Sequence, residues 1–352
     1  MTVPLRRTLD SLPAYAPGRT VPGAIKLASN ELSFPTLPSV VEAIGGAAAG
    51  INRYPDNNTT SLIAALAEKT GEDPSRLVTG CGSVALCQQL VQAVADTGDE
   101  VIFGWRSFEA YPIVSLIPGA VPVRVPLTDA HELDLNAMAA AVTDRTRLIY
   151  VCTPNNPSGT VVSQQALEAF LDQVPDRVLV VIDEAYREFD TSPDSPDGAE
   201  VARRRSNVLA LRTLSKAYGL AGLRVGYAVG DPSMIDGLRK VAVPFAVNSL
   251  AQAAAVAALA AEEELRPRWK QVIDERARVT AALREAGFEV PTSEANFVWL
   301  PLRERSAEFA AHCEANLVIV RPFSDATGGV RITIGAPAEN DQFLAAARSF
   351  AG

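Results

Sequence analysis

Seven short apolar runs separated by helical stretches restrict the fold of this chain more than any other feature. They read R-L-V-T-G, D-E-V-I-F-G, V-P-V-R-V-P-L, T-R-L-I-Y-V, R-V-L-V-V-I-D, N-V-L-A-L-R and L-R-V-G-Y-A-V-G, between residues 76 and 230. Strands this apolar have no face for water, so helices must cover both sides of the sheet they form. The pattern predicts an α/β fold with a mainly parallel sheet. Ligands on such sheets bind beyond the carboxyl ends of the strands. Polar residues at those ends are therefore the candidates for function.

After about residue 245 the pattern changes. A long helical region from Ser249 to about Ala286 precedes strand-like A-N-F-V-W-L, L-V-I-V-R-P-F and G-V-R-I-T-I-G, then a last helix around D-Q-F-L-A-A-A-R. Helix, antiparallel strands and helix make an α+β layer. The expected division is an N-terminal arm over 1–35, rich in proline and turn formers, a large domain over 36–245 and a smaller domain over 246–352. At 352 residues the chain is long enough for two such cores.

The net charge of −9 and the lack of a basic cluster exclude nucleic acid and an anionic membrane as main partners. Cys81, Cys87, Cys152 and Cys313 are scattered without metal-type spacing, and His131 and His312 are the only histidines. No metal is expected, and the cysteines read as reduced thiols. The first ten residues lack the apolar core of a signal peptide, and the apolar run A-Q-A-A-A-V-A-A-L-A-A is too short to span a bilayer. A cytoplasmic location is expected.

The strand ends carry four groups of interest. Gly80 to Ser83, G-C-G-S, joins a strand to a helix start. It reads either as a phosphate cradle or as a helix capped by Ser83. In T-P-N-N-P-S-G, prolines flank Asn155 and Asn156, giving either a stiff display of two amides or an ordinary turn. Asp183 follows four apolar strand residues, so its carboxylate needs a partner: an arginine, a helix start or a protonated ring nitrogen. Lys216 is one of only five lysines and lies in T-L-S-K-A-Y-G-L-A-G-L-R-V-G, with Thr213, Ser215 and Arg224 close by. A lysine amine can lose its proton and bond to an aldehyde, whereas an arginine suits a phosphate. Together these groups match pyridoxal phosphate, which presents a phosphate, an aldehyde, a ring nitrogen and a phenolic oxygen.

The motifs T-P-N-N-P-S-G, D-E-A-Y and T-L-S-K-A-Y-G-L-A-G-L-R-V-G, in this order, resemble the histidinol-phosphate aminotransferase branch of fold type I pyridoxal phosphate enzymes. Within that branch, G-C-G-S-V-A-L-C-Q-Q-L, G-W-R-S-F-E-A-Y-P, A-N-F-V-W-L-P-L and I-V-R-P-F resemble the aromatic amino acid (phenylalanine) aminotransferases. The likeness runs along nearly the whole chain. It implies that Lys216 holds the cofactor aldehyde and carries the proton between substrate and cofactor. It also implies that Asp183 faces the ring nitrogen, that Asn156 and Tyr186 face the ring oxygen, and that Phe108 stacks on the ring. The phosphate would lie among Gly82, Ser83, Val84, Thr213, Ser215 and Arg224. Tyr54 would reach it from a neighbouring subunit, which implies a homodimer with shared sites.

By the same resemblance, Arg331 clamps the substrate anion, with Tyr15, Asn30 and Asn156 on the substrate side. The arm departs from the usual pattern at N-E-L-S-F-P-T-L-P, and Phe108 stands where relatives often have tyrosine. The implied activity is ping-pong amino transfer between an aromatic amino acid and 2-oxoglutarate. Trp105, Phe108 and the R-P-F segment at Arg321 favour the aromatic substrate. Histidinol-phosphate transamination is the nearest alternative, and a lyase of the phosphothreonine decarboxylase type is a third.

Overall fold

A computed structural model describes residues 3, 18–323 and 327–351. Tyr15 lies outside the described residues. The seven runs become β2 (Leu77–Gly80), β3 (Glu100–Trp105), β4 (Val121–Pro126), β5 (Thr146–Cys152), β6 (Leu179–Asp183), β7 (Val208–Thr213) and β8 (Gly226–Val229), preceded by β1 (Ile25–Lys26). The seven form one sheet in the order β2-β8-β7-β6-β5-β3-β4. Only β8 runs against its neighbours, so the sheet is mainly parallel, as expected.

Alternate residues of the strands feed two different cores. Val101, Phe103, Leu148, Tyr150 and Val181 pack with Leu86 and Leu90 of the helix Gly82–Val94. Ile102, Ile149, Val151, Val180 and Ile182 pack on the other face with Leu167 and Phe170 of the helix Gln164–Leu171. That is why the runs are apolar without alternation. Each fully buried aliphatic or aromatic side chain contributes about 1.5–3 kcal/mol by leaving water.

One glycine is needed where a helix start meets the sheet. Gly226 pairs with Gly80 across β8 and β2. A Cβ on Gly226 would sit 2.6 Å from the Ser83 amide nitrogen and 3.0 Å from the Arg212 carbonyl oxygen. Both obstacles are backbone, so neither can rotate away. Gly226→Ala is expected to destabilise the protein by about 1–3 kcal/mol. Urea denaturation checks this, and an unchanged midpoint would disprove the packing argument.

The region beyond residue 245 differs from expectation in two places. The long helical region is two helices, Ser249–Ala260 and Glu262–Glu285, meeting at Ala261. Three glutamates, Glu262 to Glu264, open the second helix, where negative charge suits the positive end of the helix dipole. The run L-V-I-V-R-P-F likewise divides, into β10 (Val318–Ile319) and β11 (Arg321–Phe323). Strands β11, β12 (Gly329–Thr333) and β9 (Phe297–Leu300) form an antiparallel sheet in the order β11-β12-β9. β10 instead pairs in parallel with β1, so the N-terminal arm contributes a strand. No helix among the described residues is long and apolar enough to cross a membrane.

Candidate functional site

The carboxyl ends of β5, β6 and β7 open into a cavity of about 500 Å³. Cys152 ends β5, Asp183 ends β6 and Thr213 ends β7, and Cys152 and Asp183 are register neighbours. Two segments from elsewhere in the chain close the cavity. Ala28, Ser29 and Asn30 come from the arm just after β1, while Arg321 and Arg331 face each other across β11 and β12. The lining holds Ser83, Val84, Phe108, Asn156, Asp183, Tyr186, Thr213, Ser215, Lys216 and Arg224 as well.

At one end the helix Gly82–Val94 begins, and no side chain caps it. Ser83 is the second helical residue and so is not the cap that one reading of G-C-G-S required. Uncapped first-turn N–H groups are free to meet an anion. Gly82 has φ +74°, and a Cβ there would lie 2.5 Å from the Arg224 Nη2. Only a glycine lets the guanidinium sit against the helix start. Arg224 Nη1 donates to the Ala221 carbonyl at 3.0 Å and to the Ser215 hydroxyl at 3.4 Å. The Thr213 hydroxyl accepts from the Ser215 amide at 3.1 Å. A guanidinium beside uncapped helix amides is an arrangement suited to an anion.

Lys216 lies within reach of the charges of both Arg224 and Arg331. Its Nζ donates to the Ser29 carbonyl at 3.1 Å. Burial, then the positive charges of Arg331 and Arg224, lower its pKa from 10.5 to about 7, against the opposing pull of Glu31. At neutral pH a large fraction of the amine is uncharged and nucleophilic.

Asp183 is 3% exposed. Among the described residues, neither an arginine nor a helix start satisfies it. Its Oδ2 accepts the Tyr111 hydroxyl at 2.6 Å and its Oδ1 the Ala185 amide at 3.2 Å. Burial raises its pKa to about 6, with the Tyr111 bond working the other way. A cationic partner in the cavity would hold it ionised.

The turn at residues 153–159 separates its two amides. Asn155 is fully buried and braces the loop, accepting from Ser107 at 2.7 Å and donating to Ser158 at 2.9 Å. Asn156 alone faces the cavity, where its Oδ1 accepts from Arg331 Nη1 at 2.6 Å. Arg331 Nη2 donates to the Ala28 carbonyl at 2.8 Å. The Tyr186 hydroxyl accepts from Asn30 Nδ2 at 2.9 Å, and burial raises its pKa. Asn30 is held in the left-handed region, φ 55°, with its own amide donating to Thr333.

Phe108, Ile113, Val114 and Ile117 form an apolar wall. Arg321 donates to Glu109 at 2.9 Å on the same side. Two sequence-derived candidates fall elsewhere. Trp105 does not line the cavity; it lies against the guanidiniums of Arg106 and Arg124. Tyr54 is 81% exposed and stacks on Phe245, outside its own chain's cavity. A separate groove of about 590 Å³ beside Phe245 and Asn57 holds none of the candidate residues.

Tyr111, Glu109 and Ser29 belong to the site without having been singled out in the sequence. Tyr111 had a signal, since it lies three residues after Phe108, whose carbonyl accepts its amide in the turn that leads into the helix. Ser29 acts through its backbone, which no residue type announces.

The residues fit pyridoxal phosphate on the structure's own terms: an uncapped helix start with a guanidinium packed where a Cβ would go, an amine whose pKa burial lowers to about 7, and a buried carboxylate with no cationic partner among the described residues. Residues 22–347 match the family described as aminotransferase class I and II. An aromatic amino acid aminotransferase of Mycobacteroides abscessus is 59% identical over 99% of this chain and 100% of its own. One from Rhodococcus jostii is 58% identical over 99% of this chain and 96% of its own. Among solved structures, the histidinol-phosphate aminotransferase of Sinorhizobium meliloti in complex with pyridoxal 5'-phosphate matches with TM-score 0.90 and 29% identity. That match covers 100% of this chain and 98% of that one.

Proposed function

Because the chain belongs to the class I and II aminotransferase family, we propose that it moves an amino group between an aromatic amino acid and 2-oxoglutarate. The observation that carries the substrate class is the full-length likeness to relatives named for that activity. The apolar wall of Phe108, Ile113, Val114 and Ile117 in the same cavity as Arg331 supports it, since an amino acid with an apolar ring needs one anion clamp and one apolar surface. Arg331 binds the α-carboxylate in this reading, with Asn156 hydrogen-bonded to it and Asn30 lining the same cavity. The second guanidinium, Arg321, suits the distal carboxylate of 2-oxoglutarate.

Pyridoxal phosphate, when bound, supplies an electron sink for the bond-breaking at the substrate's Cα. The chain's own residues do the rest. The helix start at Gly82, Ser83 and Val84 would hold the phosphate together with Thr213, Ser215 and Arg224. Asp183 would keep the ring nitrogen protonated, Asn156 and Tyr186 would hydrogen-bond the ring oxygen, and Phe108 would stack on the ring. Lys216 would hold the aldehyde, and its Nζ would take and return the substrate's Cα proton. A pKa of about 7 suits that exchange, because the amine can both accept and release a proton at neutral pH.

This reading makes a pH prediction. Only the uncharged amine attacks an aldehyde, and its fraction grows as pH rises through about 7. Cofactor-free enzyme mixed with pyridoxal phosphate should develop visible absorbance faster as pH rises, with a midpoint near 7 and a plateau about one unit above it. Stopped-flow absorbance checks it; a midpoint near the ordinary lysine value would contradict the lowered pKa.

We further propose the division 1–35, 36–245 and 246–352, supported by the seven-stranded sheet lying wholly before residue 245 and the three-stranded sheet wholly after it, with the β1-β10 pair joining the arm to the last segment. A homodimer is proposed as well. Tyr54, Val41, Ile51 and Val243 are exposed, and Tyr54 is available to another chain's phosphate end. A monomer with full activity in analytical ultracentrifugation would end that proposal.

Steady-state kinetics decides the substrate. With 2-oxoglutarate as acceptor, kcat/KM for phenylalanine should exceed that for histidinol phosphate by about 100-fold or more. The reverse preference would move the chain to the histidinol-phosphate branch, and release of CO₂ from the substrate would mark a lyase.

A further inference from the structure

We propose that Tyr111 is a positioning residue which holds the Asp183 carboxylate toward the cofactor's ring nitrogen and props the Phe108 ring at the same time. The inference rests on the pyridoxal phosphate reading above. Tyr111 is fully buried in the helix Ala110–Leu116 and does not itself line the cavity. Its hydroxyl donates to Asp183 Oδ2 at 2.6 Å, the length of a hydrogen bond to a charged acceptor. Its ring meets Phe108 edge-on, with centroids 5.5 Å apart and planes at 87°. One side chain thus touches both the carboxylate and the ring assigned to the cofactor's stacked face.

The tyrosine is itself held firmly. Its ring stacks on Tyr150 at 4.2 Å with planes 6° apart, and Phe103 lies 5.8 Å away. The Tyr150 hydroxyl donates to the Cys87 carbonyl at 2.8 Å, on the helix whose start forms the phosphate end. The Tyr111 phenol is therefore fixed in direction before any cofactor arrives.

The surroundings of Asp183 make this single donor consequential. The groups facing it are Tyr111, Tyr150, Tyr186, Cys87, Cys152 and Glu184. Burial pushes the three phenols and both thiols up, so they stay neutral at physiological pH and supply no positive charge. Among the described residues, the Tyr111 hydroxyl and the backbone amide of Ala185 are the hydrogen-bond donors that favour the ionised carboxylate. Without it, Asp183 takes up a proton at a higher pH and swings free on one side.

The test compares Tyr111→Phe with Tyr150→Phe in the holoenzyme. Each change removes one buried hydroxyl and keeps the stacked ring, so the burden on folding is similar. Tyr111→Phe should raise the Kd for pyridoxal phosphate and lower kcat, each about tenfold, the size expected for one hydrogen bond to a charged group. KM for phenylalanine should stay within about twofold, because the substrate clamp is untouched. The acid-side loss of cofactor binding should move to higher pH. Tyr150→Phe should leave the Kd and its pH profile within about twofold.

A double-mutant cycle separates positioning from general weakening. In an Asp183→Asn background, Tyr111→Phe should cost little further cofactor affinity. An equal, additive loss there, or equal effects of Tyr111→Phe and Tyr150→Phe, would overturn the proposal. If the wild-type protein failed to bind pyridoxal phosphate at all, the underlying cofactor reading would fall instead.

Discussion

Lys216→Ala is expected to lower turnover by roughly 10⁴-fold or more and to remove the visible absorbance of the bound cofactor. The size follows from two roles lost together: the covalent anchor and the proton carrier, the second alone accounting for about 10²–10⁴. Its geometry makes compensation difficult. The amine reaches the cavity from a loop fixed by the Leu214 amide bond to the Val225 carbonyl and by the Trp269 indole bond to the Ala217 carbonyl. The other lysines are remote in sequence, and Lys26 is engaged by Glu31 at 2.9 Å. Lys216→Arg should be as inactive as the alanine variant, because a guanidinium keeps the charge and cannot give up its proton. Absorbance spectra and single-turnover assays read both variants. An arginine variant with substantial turnover would refute the assigned proton transfer, leaving only a charge requirement.

Arg331→Met should cost the next largest amount. A guanidinium forking onto a carboxylate makes two charge-assisted hydrogen bonds of about 1.5–3 kcal/mol each, so kcat/KM should fall by about 10²–10⁴-fold. The side chain is already pre-organised. It is 8% exposed, donates to Asn156 and the Ala28 carbonyl, and lies 5.5 Å over the Phe297 ring. Arg331→Lys keeps the charge and loses the fork, so it should recover only a small part of the loss. The loss should appear for phenylalanine and 2-oxoglutarate alike, since both carry the α-carboxylate. An effect confined to one of them would reassign Arg331 from the shared clamp to side-chain recognition.

How much of this was legible depends on what kind of information each residue carries. The sheet was legible because strands buried on both faces must be apolar throughout, and residues such as Ile149 and Tyr150 point to different cores while looking alike in sequence. Lys216, Asp183 and Arg224 were legible because their chemistry conflicts with apolar surroundings. The division of L-V-I-V-R-P-F between two sheets was not, since both halves have the same strand-forming composition and only the partner differs: β1 for one, β12 for the other. The break at Ala261 was hidden by continuous helix-favouring residues on both sides. Asn155 and Asn156 are identical in type, and only the fold decides that one braces a loop while the other meets Arg331. Tyr111 reads as an ordinary core aromatic until Asp183 is found at its hydroxyl.

The pairing of β1 with β10 changes what a shortened chain would lose. Ala28 and Ser29 offer their carbonyls to Arg331 and Lys216, and they are carried there by a strand hydrogen-bonded to Val318 and Ile319. The arm is thus not a detachable flap laid over a finished site but part of its frame, tethered to β10 and, through the Leu27 carbonyl, to the Thr333 amide of β12. The reactive amine is positioned in part by a pairing between opposite ends of the chain.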